Sequence, residues 1–146
     1  MLASAPKFQS PASPALAPSR SEVGFTSGGV RVLLRLEGAA AFAAAVGLYA
    51  HAGFSWPIFA LLFLSPDLSM LTYLAGPRAG AAGYNLVHTY LLALALALAG
   101  FFASFPAATA CGLIWIAHIG FDRTLGYGLK YSTGFGDTHL GRIGRR

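Results

Sequence analysis

The stretch "AHIGFDRTLGYGLKY", residues 117–131, sets a histidine and an aspartate four positions apart at the end of a long apolar run. On a helix that spacing stacks His118 and Asp122 on one face. An imidazole nitrogen and a carboxylate oxygen placed so could grip one metal ion from a single turn. Trp115, three before His118, shares the face. A second histidine, His88, follows Asn85 by three and Tyr84 by four in another apolar run. Asp67 stands directly after Pro66, and Glu37 lies in "RLEG". Two imidazoles and three carboxylates are the donors that Zn, Mn or Fe takes. A divalent ion would neutralise the carboxylates and could activate water for hydrolysis. On this reading Asp67, His88, His118 and Asp122 are the metal ligands. Glu37, Asp67 and His118 are the catalytic candidates, with Glu37 as ligand or general base. Tyr84, Asn85 and Arg123 would orient ligands or substrate.

Other chemistries compete for these residues. His88 and His118 could be axial ligands of a b-type haem, a reading that leaves Glu37, Asp67 and Asp122 without a role. Chains of Asp, Glu and His inside membranes also serve as proton or ion paths. A purely structural polar layer that fixes helix register is the remaining alternative. The later Asp137 and His139 could fold back as further ligands.

The elements that must position these groups follow from composition. Of 146 residues, 55% are hydrophobic and only 10% charged, with a mean hydropathy of +0.61. Soluble domains carry about 25% charged residues, so the chain reads as an integral membrane protein with lipid as its solvent. The net charge of +5 lies mostly outside the apolar runs and comes with no nucleic-acid-binding motif. The only cysteine, Cys111, excludes an intrachain disulfide.

Residues 1–29 are rich in Pro, Ala, Ser and Gly and read as a disordered tail. Within 30–125, four apolar segments near Arg31–Ala50, Ser55–Leu74, Gly80–Ser104 and Phe105–Leu125 each approach the roughly 20 residues that cross a bilayer. Short Gly/Pro-containing breaks join them, so the sequence predicts an all-α, antiparallel four-transmembrane-helix bundle in which sequential helices are neighbours. Pro66 predicts a kink that frees the Leu62 carbonyl. Small residues at Gly38, Ala41, Ala45, Gly83, Gly112 and Gly120 allow close helix approach. Residues 126–146 read as a glycine-rich interfacial tail, with aromatics at headgroup level. The partners expected are membrane lipids and, as one option, a second copy of the chain.

Lys7, Arg20, Arg31, Arg78, Arg123, Lys130, Arg142, Arg145 and Arg146 all fall on one side of such a bundle, while the loops near His51 and Phe105 carry no Lys or Arg. The positive-inside rule puts that side, and both termini, in the cytoplasm. Arg35 would snorkel to the interface. At about 1.5 Å per residue, Glu37, Asp67, His88 and His118 lie about 6–12 Å in from the same face. Four helices thus deliver polar groups to one layer.

"RLEG", "SPDLSMLTYLAGPRAGAAGYNLVHTY" and "HIGFDRTLGYGLKYSTGFGDTHLG" closely resemble the bacterial membrane-protein family catalogued as domain of unknown function 4260, over about residues 32–142. That resemblance implies a multi-span protein of the bacterial inner membrane and carries no activity with it. A looser similarity is to putative membrane-bound metal-dependent hydrolases, with Pro66–Asp67, His88–Thr89 and His118/Asp122 as the counterparts of their motifs. Here His88–Thr89 stands in place of a Thr-His-Ser run, and Gly83 and Tyr84 stand where His-Arg-Gly is usual. The similarity implies a metal-dependent hydrolase and no particular substrate; it is the position of the polar layer near the cytoplasmic face that makes a lipid headgroup or a small polar molecule the accessible one.

Overall fold

A computed structural model describes residues 24–144. The expected tail over 1–29 therefore lies outside the described residues for 1–23. Of the rest, Thr26 is tied down by bonds from its N–H (3.0 Å) and hydroxyl (2.7 Å) to the carbonyl of His139.

The chain is mostly helical: α1 (Gly28–His51), α2 (Trp56–Phe63), a 3-10 helix (Ser65–Ala75), α3 (Pro77–Val87), α4 (Tyr90–Phe102) and α5 (Pro106–Leu125). Three stretches are long and apolar enough to cross a membrane: Gly28–His51, Trp56–Ala75 and Pro77–Phe102. Their outer faces expose Leu33, Leu61, Leu74, Leu91, Phe101 and Phe102, a surface suited to hydrocarbon.

Two of these stretches are not single α-helices. The second changes at Pro66 from α to a 3-10 helix of 11 residues, a long run for a form usually confined to 3–4 residues. A kink is expected at Pro66, and the helix changes type there. The Leu62 carbonyl, however, is not free, because the Ser65 hydroxyl donates to it at 2.7 Å. The third stretch breaks at His88–Thr89, where Thr89 is extended (φ −92°, ψ 143°) and begins α4 as its N-cap.

Helix neighbours follow the simple up-down order except that α1 and α2, though sequential, pack on each other little. The extensive contacts are of α1 with α5, α4 with α5, and α3 with the 3-10 helix. The last helix is thus the central one, and its small residues explain why. A Cβ on Gly120 would lie 2.7 Å from the Phe42 nitrogen and 2.8 Å from the Gly38 carbonyl oxygen, so α1 and α5 touch backbone to backbone. Across α5, Gly112 meets the backbone of Ala97 on α4 in the same way. Ala45, Ala93, Ala97, Ala117 and Ile119 fill the core between them. At the far end Tyr49 and Leu113 pack with Phe54 and Phe59.

Residues after α5 form a folded cover. Gly126 takes the left-handed conformation (φ 97°), and the Tyr127 N–H returns to the Asp122 carbonyl at 2.8 Å, closing the helix as glycine at this position commonly does. The exposed Arg35 reaches the same end and donates from Nε to the Thr124 carbonyl at 2.8 Å. The chain then makes a two-stranded antiparallel ribbon of β1 (Asp137–Thr138) and β2 (Gly141–Arg142). Leu140 and Thr138 are buried beneath it.

Candidate metal centre

Asp67, His88, His118 and Asp122 converge, each offering one donor atom, and these atoms all lie within 4.8 Å of one another. They come from three places: the first turn of the 3-10 helix, the break between α3 and α4, and the last turns of α5. The Nε2 atoms of His88 and His118 are 3.2 Å apart. Asp67 Oδ1 is 3.5 Å from His88 Nε2 and 3.6 Å from His118 Nε2. Asp122 Oδ2 is 3.7 Å and 3.8 Å from the same two nitrogens. A tetrahedron with metal–ligand bonds of about 2.0–2.2 Å has edges of about 3.3–3.6 Å, and these five gaps, at 3.2–3.8 Å, come close to that.

The protein fixes what His88 presents. Its Nδ1 lies 3.0 Å from the Tyr84 carbonyl. A carbonyl only accepts, so Nδ1 carries a proton, and in the neutral ring it is the Nε2 lone pair that turns into the cluster. Tyr84 also stacks its ring on the His88 ring, 3.7 Å between centroids and 9° from parallel. The Tyr84 hydroxyl donates to Asp122 Oδ2 at 3.2 Å. One tyrosine therefore orients two donors, as partners behind metal ligands do. The His118 ring is held differently: its Nδ1 is buried without a hydrogen-bond partner, and Phe63 packs edge-on against it.

The helix break that frees His88 needs partners for the carbonyls it exposes. Trp115 Nε1 donates to the Val87 carbonyl at 2.7 Å, and Arg123 Nη2 donates to the His88 carbonyl at 3.2 Å. Both donors come from α5, so the helix that carries His118 and Asp122 also holds His88 in position.

The remaining expected residues have other places. Glu37 is exposed on α1 and is not among the four converging side chains. Asn85, expected at substrate, has its amide engaged with the backbone of Lys130, donating to its carbonyl at 2.8 Å and accepting from its N–H at 2.7 Å. Arg123, also expected at substrate, spends its guanidinium on the His88 carbonyl and on the ring of His139, 3.3 Å away. Neither Asp137 nor His139 joins the cluster. Asp137 accepts from the Thr133 hydroxyl and pairs with Arg142. His139 Nδ1 accepts from the Leu129 N–H at 2.9 Å. Burial, and then the charge of Arg123, hold the His139 pKa below its ordinary value.

A residue the sequence left in the tail proves to be central. Lys130 is only 5% exposed. Its Nζ donates to the Phe135 carbonyl at 2.9 Å and sits 3.9 Å from the Phe135 ring centroid and 5.0 Å from that of Tyr84. Burial pushes its pKa down, while Asp122 and Asp67 act the other way. The signal was a lysine set among Tyr127, Tyr131 and Phe135, a spacing that also suits a headgroup-level segment. A cavity of about 330 Å³ opens between this cover and the cluster, bounded by Asp67, Asp122, Tyr84, Tyr127, Lys130 and Phe135 among others. The carboxylates therefore face the cavity, and the two histidines are buried behind them.

The family model described as a domain of unknown function, DUF4260, matches residues 31–143, and the chain belongs to that family. No curated protein and no solved structure matches the chain. The looser likeness to metal-dependent hydrolases finds no support in these comparisons.

Proposed function

We propose that this DUF4260 member is a multi-span protein of the bacterial inner membrane that binds one divalent ion, Zn, Mn or Fe, through Asp67, His88, His118 and Asp122. We further infer that it uses the ion for hydrolysis of a lipid or another small substrate. The observation that carries the reading is the convergence of four donors from three helical segments, with His88 locked to present a lone pair. A divalent ion there would supply the charge that offsets two carboxylates and would make a water a better nucleophile at neutral pH. The chain's own residues do the rest. Tyr84 holds Asp122 and His88 in place, Arg123 and Trp115 hold the helix break, and Asp67, the most exposed of the four, meets what enters from the cavity. The basic residues Arg31, Arg78, Arg123, Lys130 and Arg142 favour a cytoplasmic position for this end and for both termini, with α5 as the fourth span.

Two other readings fit less well. Axial nitrogens on opposite faces of a haem would stand about 4 Å apart, twice a bond of about 2 Å. Here they are 3.2 Å apart with carboxylates at their sides. A proton path would need polar groups beyond the cluster, where the buried neighbours are Ala45, Ala97, Leu113, Ile114 and Tyr49, whose hydroxyl is spent on the Ser55 carbonyl.

The test is elemental analysis of detergent-purified protein beside Asp122→Asn and His118→Ala. One equivalent of Zn, Mn or Fe in the wild type, lost in both variants, is the expected result. A metal-free wild type with both variants folded would overturn the reading.

A further inference from the structure

The cavity beside the cluster holds a charge that, among the described residues, no carboxylate pairs directly. Lys130 Nζ is a buried ammonium with one hydrogen bond, to the Phe135 carbonyl. Among the described residues, no carboxylate comes within 4.0 Å of it; Asp137, the nearest acid in sequence, is taken by Arg142 and Thr133. The rings of Phe135 and Tyr84 offset part of the cost of burying a cation, but buried charges are normally paired. Asp67 and Asp122 bound the same cavity, and once they neutralise a divalent ion they no longer answer the lysine. The backbone of Lys130 is pinned by Asn85 at both its N–H and its carbonyl. The ammonium is thus built into the wall of the cavity and is not a surface lysine folded in by chance.

We propose that this cavity binds a phosphate group, free or as the head of a phosphomonoester lipid, with Lys130 pairing its charge. The inference rests on the metal reading above, because it is the ion that leaves Lys130 as the uncompensated charge. An ammonium is a compact donor with three protons, one of them spent on Phe135, so two remain for phosphate oxygens. The cavity, at about 330 Å³, has room for such a group and for part of what it is esterified to.

The test uses full-length protein loaded with its metal in a nonionic detergent. Inorganic phosphate and, separately, short-chain phosphatidic acid are titrated by calorimetry into the wild type and into Lys130→Met, which keeps most of the stem. Binding that weakens about ten- to hundredfold in the variant is expected, the loss typical of a hydrogen bond to a charged partner. Binding of inorganic phosphate identifies a free or water-soluble phosphate as the ligand, and binding of phosphatidic acid alone identifies a lipid headgroup. Either supports the proposal. If neither probe binds the wild type, or Lys130→Met binds as well as wild type, the proposal is overturned. Should Lys130→Met fail to fold, Lys130→Arg, which keeps the charge, must retain binding, and loss of binding in that folded variant counts against the proposal. Elemental analysis of the same samples separates the two readings. A metal-free wild type defeats the metal centre, whereas metal without phosphate binding defeats only this inference.

Discussion

His88 and His118 face each other through Nε2 at 3.2 Å, from a broken helix and a continuous one that are 30 residues apart in the chain. Two such nitrogens, each with a lone pair, repel unless a proton or a metal ion lies between them. Two carboxylates at 3.5–3.8 Å from the same nitrogens add negative charge and make a divalent ion the better occupant.

Metal binding should therefore appear as stability. A ligand present at about 100–1,000 times its Kd stabilises the state that binds it by about 3–4 kcal/mol. Thermal melting of the wild type should shift downward when a chelator is added. His118→Ala should melt at one temperature with or without chelator. An equal chelator shift in the variant would place the ion elsewhere.

Asn85→Ala should loosen the cover without emptying the site. The substitution removes both bonds to the Lys130 backbone, leaving two buried polar groups at about 1–3 kcal/mol each. Hydrogen exchange across residues 126–143 should rise, while metal content stays at the wild-type level. Unchanged exchange would show that the ribbon is held from elsewhere.

Gly120→Ala should destabilise the whole bundle. Its new methyl group meets the Phe42 nitrogen and the Gly38 oxygen, and backbone at a helix crossing cannot swing away as a side chain can. Overpacking of this kind costs about 1–3 kcal/mol. A lower melting temperature is expected both with metal and without. A melting temperature equal to the wild type's would mean that α1 and α5 separate at little cost.

The cover should also loosen in acid through His139. Its folded pKa is below the ordinary value, so the unfolded state binds its proton first as pH falls. Stability from this group is full above about pH 6.5 and is lost as pH drops through the lower folded pKa. Protonation at Nδ1 would cost the bond from the Leu129 N–H and set a second cation beside Arg123. Amide exchange in 126–143, corrected for its intrinsic pH dependence, should increase between pH 7 and pH 5. His139→Gln should remove most of that increase. A pH response unaltered by the substitution would assign it to another group.

The four donors were legible because an ionisable residue in an apolar run stands out, and because the spacing of His118 and Asp122 is a helical one. The interruption of the second stretch near Pro66 was legible for a local reason too, since proline cannot donate within a helix. The break at His88–Thr89 was not. Val87, His88, Thr89 and Tyr90 include neither Gly nor Pro, and the break is held by Trp115 and Arg123 from a distant helix. Nor could the sequence show that Asn85 and Arg123 serve the backbone, since their partners are 45 and 35 residues away. That the tail folds as a ribbon was not legible, because Gly, Lys and aromatic residues suit an irregular interfacial segment as well. The weak pairing of α1 with α2 was not legible, because it depends on Gly120, which lets α1 pack on the last helix backbone to backbone.

The cover over the cavity is made from the last described part of the chain, and Asn85, far earlier, holds it at the backbone of Lys130. The helices pack on one another through contacts elsewhere, at Gly112 and Gly120. A mouth closed by a ribbon can thus be opened without separating the bundle.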